Sequence, residues 1–409
     1  MATAVDAGAA VARNMVIKAS NMFRPFDLAG LTPYCGSQLF QSNSVPESSH
    51  LVHIVRLADP HRTRHDFAMT AATAPVVVLA DARWLAHRYD PSGDAIHFRS
   101  VSRDEHARAT FLTDEYLPAG ETISVLRAET LAACPPPAPL HFIFHSAFCL
   151  STLLARALDV EGRATTLKEP VILNDIVGWR HRGGDARQVA TVLDQSLTLL
   201  ARPFEAGEIV VVKPSNVVNS YIAAIMAMRP QARVLFVHAP LEIYLGSITR
   251  KGLWGRHWVR DLMVKLLRDD SIHLGIAGDD YLALTDLQAA AVGWLAQHQI
   301  FAQAIARHGE RSRSLDSETL SARPAEAIAA VATHFGLDMP RSAFDAILTG
   351  PAFATHSKTG APFSAADREH ERATSEAPYA DEITKVAEWA RVVAANAGID
   401  LQLDQPLIT

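Results

Sequence analysis

Only three cysteines occur in 409 residues: Cys35, Cys134 and Cys149. An odd number without metal-ligand spacing excludes a disulfide framework and points to a reducing compartment, so a cytoplasmic location is expected. The 18 histidines are scattered. No His-x-x-x-His or Cys-x-x-Cys pattern falls on a helical stretch, so no metal site is expected. No Gly-x-Ser-x-Gly elbow is present to support Ser-His-Asp catalysis. No uninterrupted apolar run reaches the ~18 residues of a membrane helix. The start, MATAVDAGAAVARNMV, lacks the charged head and apolar block of a secretory leader. No repeat recurs at a fixed period. A formal net charge of -6 gives no broad attraction to nucleic acid or to an anionic membrane, so neither is expected as a partner.

The composition is that of a globular chain, 49% hydrophobic and 20% charged. Residues 1–50 show little periodicity and read as an arm. Residues 51–135 read as a small mixed α/β unit, with strands in LVHIVRLA, APVVVLA and DAIHFRSV and a helix in SRDEHARATFL capped by Ser102. The proline-rich ACPPPAPL, residues 133–140, breaks the pattern. Strands and helices then alternate through residues 136–340. LHFIFHS is apolar throughout, as a strand covered on both faces should be. EIVVVK, ARVLFVH and RSRSLD read as further strands. Amphipathic stretches lie between them, including PLEIYLGSITRKG, expected to end at Gly252, and PAEAIAAVATHFG, with Pro324 in its first turn. Residues 341–409 read as a loop and helices on the same domain. The fold class expected is α/β, a P-loop-type parallel sheet flanked by helices, with a small mixed unit before it. Ligands of such sheets bind at the carboxyl ends of the strands. Those ends are His145-Ser146, Lys213-Pro214 and His238-Pro240.

The stretch HFIFHSAFCLSTLL, residues 141–154, has the layout of a strand feeding a phosphate loop and a helix, yet it contains neither glycine nor lysine. A magnesium–triphosphate loop needs both. What remains for an anion is backbone amides together with the hydroxyls of Ser146, Ser151 and Thr152.

VVVKPSNVVNSYIAAIMAMRPQARVLFVHAP resembles the PAPS-dependent sulfotransferases, chiefly their bacterial branch. Lys213-Pro214-Ser215 stands where that family has Lys-Ser-Pro or Lys-Thr-His, and HAP stands at its Arg-x-Pro. LKEP at 167–170, the late RSRSLD strand with its HFGLD ending, and HSKTG at 356–360 follow in family order. The resemblance spans roughly residues 138–360 and implies PAPS or PAP as cofactor, no metal, and a small-molecule or peptide acceptor. It also implies roles. Lys213 stabilises the leaving oxygen, and Glu169 or His145 acts as base. Ser146, Cys149, Ser151 and Thr152 stand at the 5′-phosphate loop and His238 and Ser247 at the 3′-phosphate positions, and Arg250 and Lys358 are further cations within reach of a phosphate. Departures are plain. Phe148 stands at the loop arginine, Cys149 at its serine and Leu150 at its glycine. His238 replaces the Arg of Arg-x-Pro, Ser247 falls one position late after Pro240, and Ser215 replaces the catalytic histidine. Two other functions remain open on the same scaffold: an ATP- or GTP-dependent transferase or kinase, and a non-catalytic binding protein whose loop is filled by Phe148 and Leu150.

Overall fold

The computed structural model describes residues 78–134, 136–354 and 377–409. The expected strand LVHIVRLA, the first four residues of APVVVLA, the N-terminal arm and Lys358 lie outside them. Ala277–Thr285, with one 3-10 turn over Gly278–Ala283, groups with a separate compact unit. All that follows concerns the larger unit.

Five strands form a parallel sheet: β4 (Leu140–His145), β5 (Ala164–Lys168), β6 (Ile209–Lys213), β7 (Val234–His238) and β8 (Ser312–Asp316). Their order is β5-β6-β4-β7-β8. Every residue of β4 is buried, which is why its sequence is apolar without alternation. Phe142, Phe144, Phe236 and Phe301 run through the core as a stacked series with centroids 4.9 to 6.1 Å apart. After β4 the chain turns toward β5, and after β7 it turns toward β8. A crevice therefore opens between the carboxyl ends of β4 and β7.

A second sheet precedes it, antiparallel and three-stranded: β1 (Trp84–Asp90), β2 (Ala95–Ser100) and β3 (Thr122–Leu126), with a register shift between Ala86 and Arg88. Its inner face, with Ala86, Ile96, Phe98 and Val125, merges with the core of the parallel sheet. β2 is the expected DAIHFRSV strand. β1 and β3 were not expected, because WLAHRYD and TISVL alternate too weakly to stand out. Val78–Ala80, expected as part of a strand, instead form a helical turn.

The helices follow their caps. Ser102 and Glu105 form a capping box on α1 (Arg103–Arg108). Beyond α2 (Arg127–Ala133), α3 (Ser151–Ala157) and α4 (Val171–His181), Asp185 caps α5 (Ala186–Leu200) by accepting from the amides of Arg187 and Gln188. A 3-10 turn, Asn216–Tyr221, leads into α6 (Ile222–Met228). α7 (Leu241–Arg250) ends just before Gly252, as expected. That glycine, at φ +57°, redirects the chain into α8 (Gly252–Arg268). α9 (Asp286–His308), α10 (Ser317–Ala322), α11 (Pro324–Phe335), α12 (Arg341–Thr349), α13 (Pro351–Ala354) and α14 (Ala380–Ala397) complete the layers. Among the described residues no helix is long and apolar enough to cross a membrane.

Arg202, just past α5, fastens the smaller sheet to the larger. Its buried guanidinium donates to the carbonyls of Leu199 (2.8 Å), Val78 (3.0 Å), Leu79 (3.2 Å) and Trp84 (2.5 Å). Burial pulls its pKa down to about 10, so it stays charged at neutral pH. Arg202→Met leaves these carbonyls without donors. It is expected to cost about 3 kcal/mol, read as a lowered urea midpoint at unchanged slope.

Candidate functional site

The segment from Ser146 to Leu150 leaves β4 at the crevice. Ala147, Phe148 and Leu150 have φ of +71°, +52° and +65°, the left-handed region that glycine normally supplies. Side chains with a Cβ pay about 1–2 kcal/mol each to sit there. Glu169, at the end of β5, is a fourth such residue, at φ +52°. Among the described residues, four of the seven non-glycine residues with positive φ therefore lie at this end of one sheet. Strain of that kind persists only where the surroundings impose it, and it gathers at functional sites. Ala147→Gly removes one methyl and the strain with it. A gain of up to ~1 kcal/mol is expected, measured as a raised melting temperature.

Hydrogen bonds explain how the segment is held. The Ala147 amide donates to Nδ1 of His145 at 3.0 Å, so Nε2 carries the proton and donates to the Pro214 carbonyl, also at 3.0 Å. The side-chain amide of Asn219 donates to the His145 carbonyl at 3.0 Å. The Ser146 amide and the Cys149 thiol both donate to the Val237 carbonyl, at 3.1 and 3.2 Å. Burial pushes the Cys149 thiol up, against weaker pulls from Ser151 and from the charge of Lys213, so it is a neutral anchor and not a nucleophile. His145, expected as an alternative base, has both ring nitrogens committed to main chain. Its geometry makes it a support for the loop.

Two hydroxyls at the crevice have no partner among the described residues. Ser146 Oγ is one, on a residue that is 0% exposed, and Tyr244 OH, on α7, is the other. Burial raises the Tyr244 pKa, so the phenol is protonated and holds an unused donor. Orphaned donors in a closed site are expensive and mark a place for an acceptor-rich group or water. Ser151 and Thr152 are buried at the first turn of α3, whose cap residue, Leu150, supplies no side-chain bond. Phe148 turns toward α7 and α8, its ring 5.4 Å from Trp258 and 6.1 Å from Tyr244.

Lys213 closes the adjacent strand. It is 0% exposed, and its ammonium donates to Glu169 Oε1 at 2.5 Å. The same Oε1 lies 3.7 Å from His145 Nε2, so all three expected catalytic residues meet at one point. The ammonium also sits 5.2 Å from the centre of the Phe111 ring. That ring belongs to the smaller, N-terminal part of the chain. Leu112 reaches the site by accepting from the Val171 amide and donating to the Lys168 carbonyl at the end of β5. Tyr116 packs edge-on against Phe111 at 5.3 Å, and the charge of Glu169 contributes to its raised pKa, after burial and Glu115. Phe111 and Tyr116 were not identified from the sequence, since nothing local ties residues 109–117 to a strand end some fifty residues later.

The residues expected at a 3′-phosphate separate into two groups. Arg250 donates to Ser247 Oγ at 2.7 Å, one turn along α7, which absorbs the one-position offset after Pro240. His238 stands apart. Burial lowers its pKa, and Asp316 Oδ2 lies 3.8 Å from its Nδ1. A neutral ring beside a carboxylate would offer a phosphate a hydrogen bond and no charge. Lys358 lies outside the described residues. No group of three or more metal-ligating side chains occurs among the described residues.

No family model matches the chain, and no curated protein matches it. Solved structures do. The sulfotransferase domain from the curacin biosynthetic pathway aligns over 65% of this chain and 99% of its own, at 13% identity and a TM-score of 0.35. A sulfotransferase from Mycobacterium avium aligns over 62% and 78%, at 12% identity and a TM-score of 0.36. The sulfotransferase domain of the Synechococcus olefin synthase aligns over 65% and 97%, at 15% identity and a TM-score of 0.36.

Proposed function

We propose that this chain is a sulfotransferase-like transferase, moving a sulfuryl group from PAPS to a hydroxyl or amine of a small molecule or peptide. One observation carries the reading. A fully buried lysine, paired with a carboxylate, stands at a strand's carboxyl end beside a loop that adopts glycine-type backbone angles without glycine. The order of the LKEP, VVVKPS and RPQARVLFVHAP segments along the chain adds to it.

The residues at hand fit such a cofactor in part. Ser146 and Tyr244 hold unused hydroxyl donors, and Ser151 and Thr152 line the same turn. These suit a 5′-phosphate, and the Ser247–Arg250 pair suits a 3′-phosphate. When bound, PAPS supplies the activated sulfuryl group. The protein's part is positioning and charge. Lys213 is a fixed cation where negative charge develops, and it needs no reorganisation because Glu169 and Phe111 already hold it. Glu169 takes the acceptor's proton; its side chain is 17% exposed, so it is reachable from the crevice. His145 keeps the loop in place. The Phe111–Tyr116 wall limits water at the pair.

Thermal unfolding with PAP, ATP, GTP or buffer, each with and without magnesium, tests this. PAP at a hundred times its dissociation constant should stabilise the fold by about 2.7 kcal/mol without magnesium. A magnesium-dependent shift with ATP or GTP would instead favour the kinase alternative. No shift with any of the three would leave a binding protein of this shape.

A further inference from the structure

A cavity of about 310 Å³ lies behind the candidate site, between the 3-10 turn before α6, the end of α8 and the second half of α9. Its apolar lining comes from Ile222, Ile300 and Ala304. The rest is polar: Asn219, Asp269 and Asp270 bring acceptors, and Arg307, His273 and His308 also line it, with His308 Nε2 unpaired among the described residues. Asn219 is 1% exposed. Its side-chain amide donates to the His145 carbonyl and to Gln297 Oε1, which fixes the orientation of the group and leaves Oδ1 without a partner. The Asp269 side chain is 7% exposed. Oδ1 accepts from His181 at 2.7 Å, and Oδ2 has no partner among the described residues. Two buried side chains that line one cavity thus each hold an unused acceptor, one of them on a carboxylate. The neighbouring Asp270 is held in the left-handed region, at φ +51°. Ser271 and Ser220 close the lip through a hydroxyl contact at 3.1 Å.

Unpaired acceptors at such burial cost free energy unless a donor meets them. At Asn219 Oδ1 and Asp269 Oδ2 a chloride or phosphate would add to the mismatch, whereas an ammonium group supplies several N–H donors and a positive charge beside Asp269 and Asp270, at the end of the cavity away from whichever group meets the Arg307 and His308 side chains. The volume is at the low end for organic ligands. We propose that this cavity binds a small organic ammonium compound, its charged nitrogen between Asn219 Oδ1 and Asp269 Oδ2 and its carbon chain against Ile222, Ile300 and Ala304. The site is separate from the Lys213–Glu169 pair and does not depend on the function proposed for it. Asn219 joins the two regions, because its amide holds the carbonyl from which the strained loop departs.

Titration calorimetry on the full chain, with putrescine as the probe and acetate and glycerol as comparators at fixed ionic strength, tests the proposal. Putrescine is expected to bind saturably, one per chain, and the comparators to give no saturable heat. Asp269→Asn should weaken putrescine at least about tenfold, the usual scale for a lost charge-assisted bond. Ala223→Phe, at an exposed cavity-lining position, should block binding while leaving the circular dichroism spectrum and unliganded melting temperature unchanged. It decides the matter even if Asp269→Asn folds poorly. Asp381→Asn, on distant α14, should change nothing. Absence of saturable putrescine heat, equal binding of acetate, or full binding to Ala223→Phe would each overturn the assignment.

Discussion

Lys213→Met is expected to abolish the proposed sulfuryl transfer and to cost roughly 3–5 kcal/mol of stability, because it strands the Glu169 carboxylate in a largely buried position. Glu169→Gln behaves differently. The amide still accepts from the Lys213 ammonium but cannot take a proton, so nucleotide affinity should persist while the transfer rate falls about 10²–10⁴-fold. The double variant, Lys213→Met with Glu169→Gln, should regain much of the stability lost by the single lysine change and none of the activity. A double-mutant cycle in urea isolates the pair's coupling, and single-turnover rates with bound PAP measured separately divide binding from chemistry. If Lys213→Met kept transfer within a few-fold of the parent, the pair would be a structural tie and the proposed mechanism would fail. If no nucleotide bound the parent chain, the cycle would still report how much the pair contributes to the fold.

The parallel sheet was legible because its strands carry a physical signature. LHFIFH and VLFVH are continuously apolar, and only strands covered on both faces read that way. Ser102, Asp185 and Pro324 mark helix starts by chemistry that acts within three residues. Lys213 and His145 were legible as strand ends and Glu169 only through the LKEP resemblance, since the strand before it, ATTLK, was not expected; the three side chains meet. What escaped depends on contacts distant in sequence. Nothing within residues 109–117 says that Phe111 will lie under the Lys213 ammonium. Nothing in AFCL says that Ala147, Phe148 and Leu150 accept left-handed angles, since sequence preference argues against it. The His145 ring and the Val237 carbonyl impose them from outside the segment. The neighbour of His238 was hidden for the same reason: Asp316 comes from the next strand.

Acid should unfold this protein well before its carboxylates protonate. Burial lowers the pKa of His106 to about 3 and those of His141 and His334 to about 4, with Lys168 and Arg103 adding at His106, Arg233 and His334 at His141, and Arg313 and Arg233 at His334. Each ring is neutral in the fold, and two of them are hydrogen-bonded. His141 Nδ1 accepts from the Arg233 amide at 3.1 Å, and His334 Nε2 donates to the Val234 carbonyl at 2.9 Å. In the unfolded chain all three titrate near 6.5. Between that value and the folded ones the unfolded state binds more protons, so stability rises with pH across the window and falls as pH drops through it. At pH ~4 the penalty is of the order of 3 kcal/mol per histidine, and the three together rival the whole stability of an ordinary domain. Glu208 enters lower down. Burial opposes its charge, yet the Thr165 hydroxyl and Arg103 outweigh that and hold its carboxyl below the usual range, so its contribution is lost only as pH falls further. Urea melts at half-unit steps from pH 7.5 to 4 should show a steep decline beginning near 6.5. His141→Asn, which keeps an acceptor for the Arg233 amide but has no titrating ring, should flatten that decline by about a third. Stability that stays level from pH 7 to 5 would mean that these rings protonate in place, with their neighbours Arg233 and Lys168 moving aside to accommodate the charge.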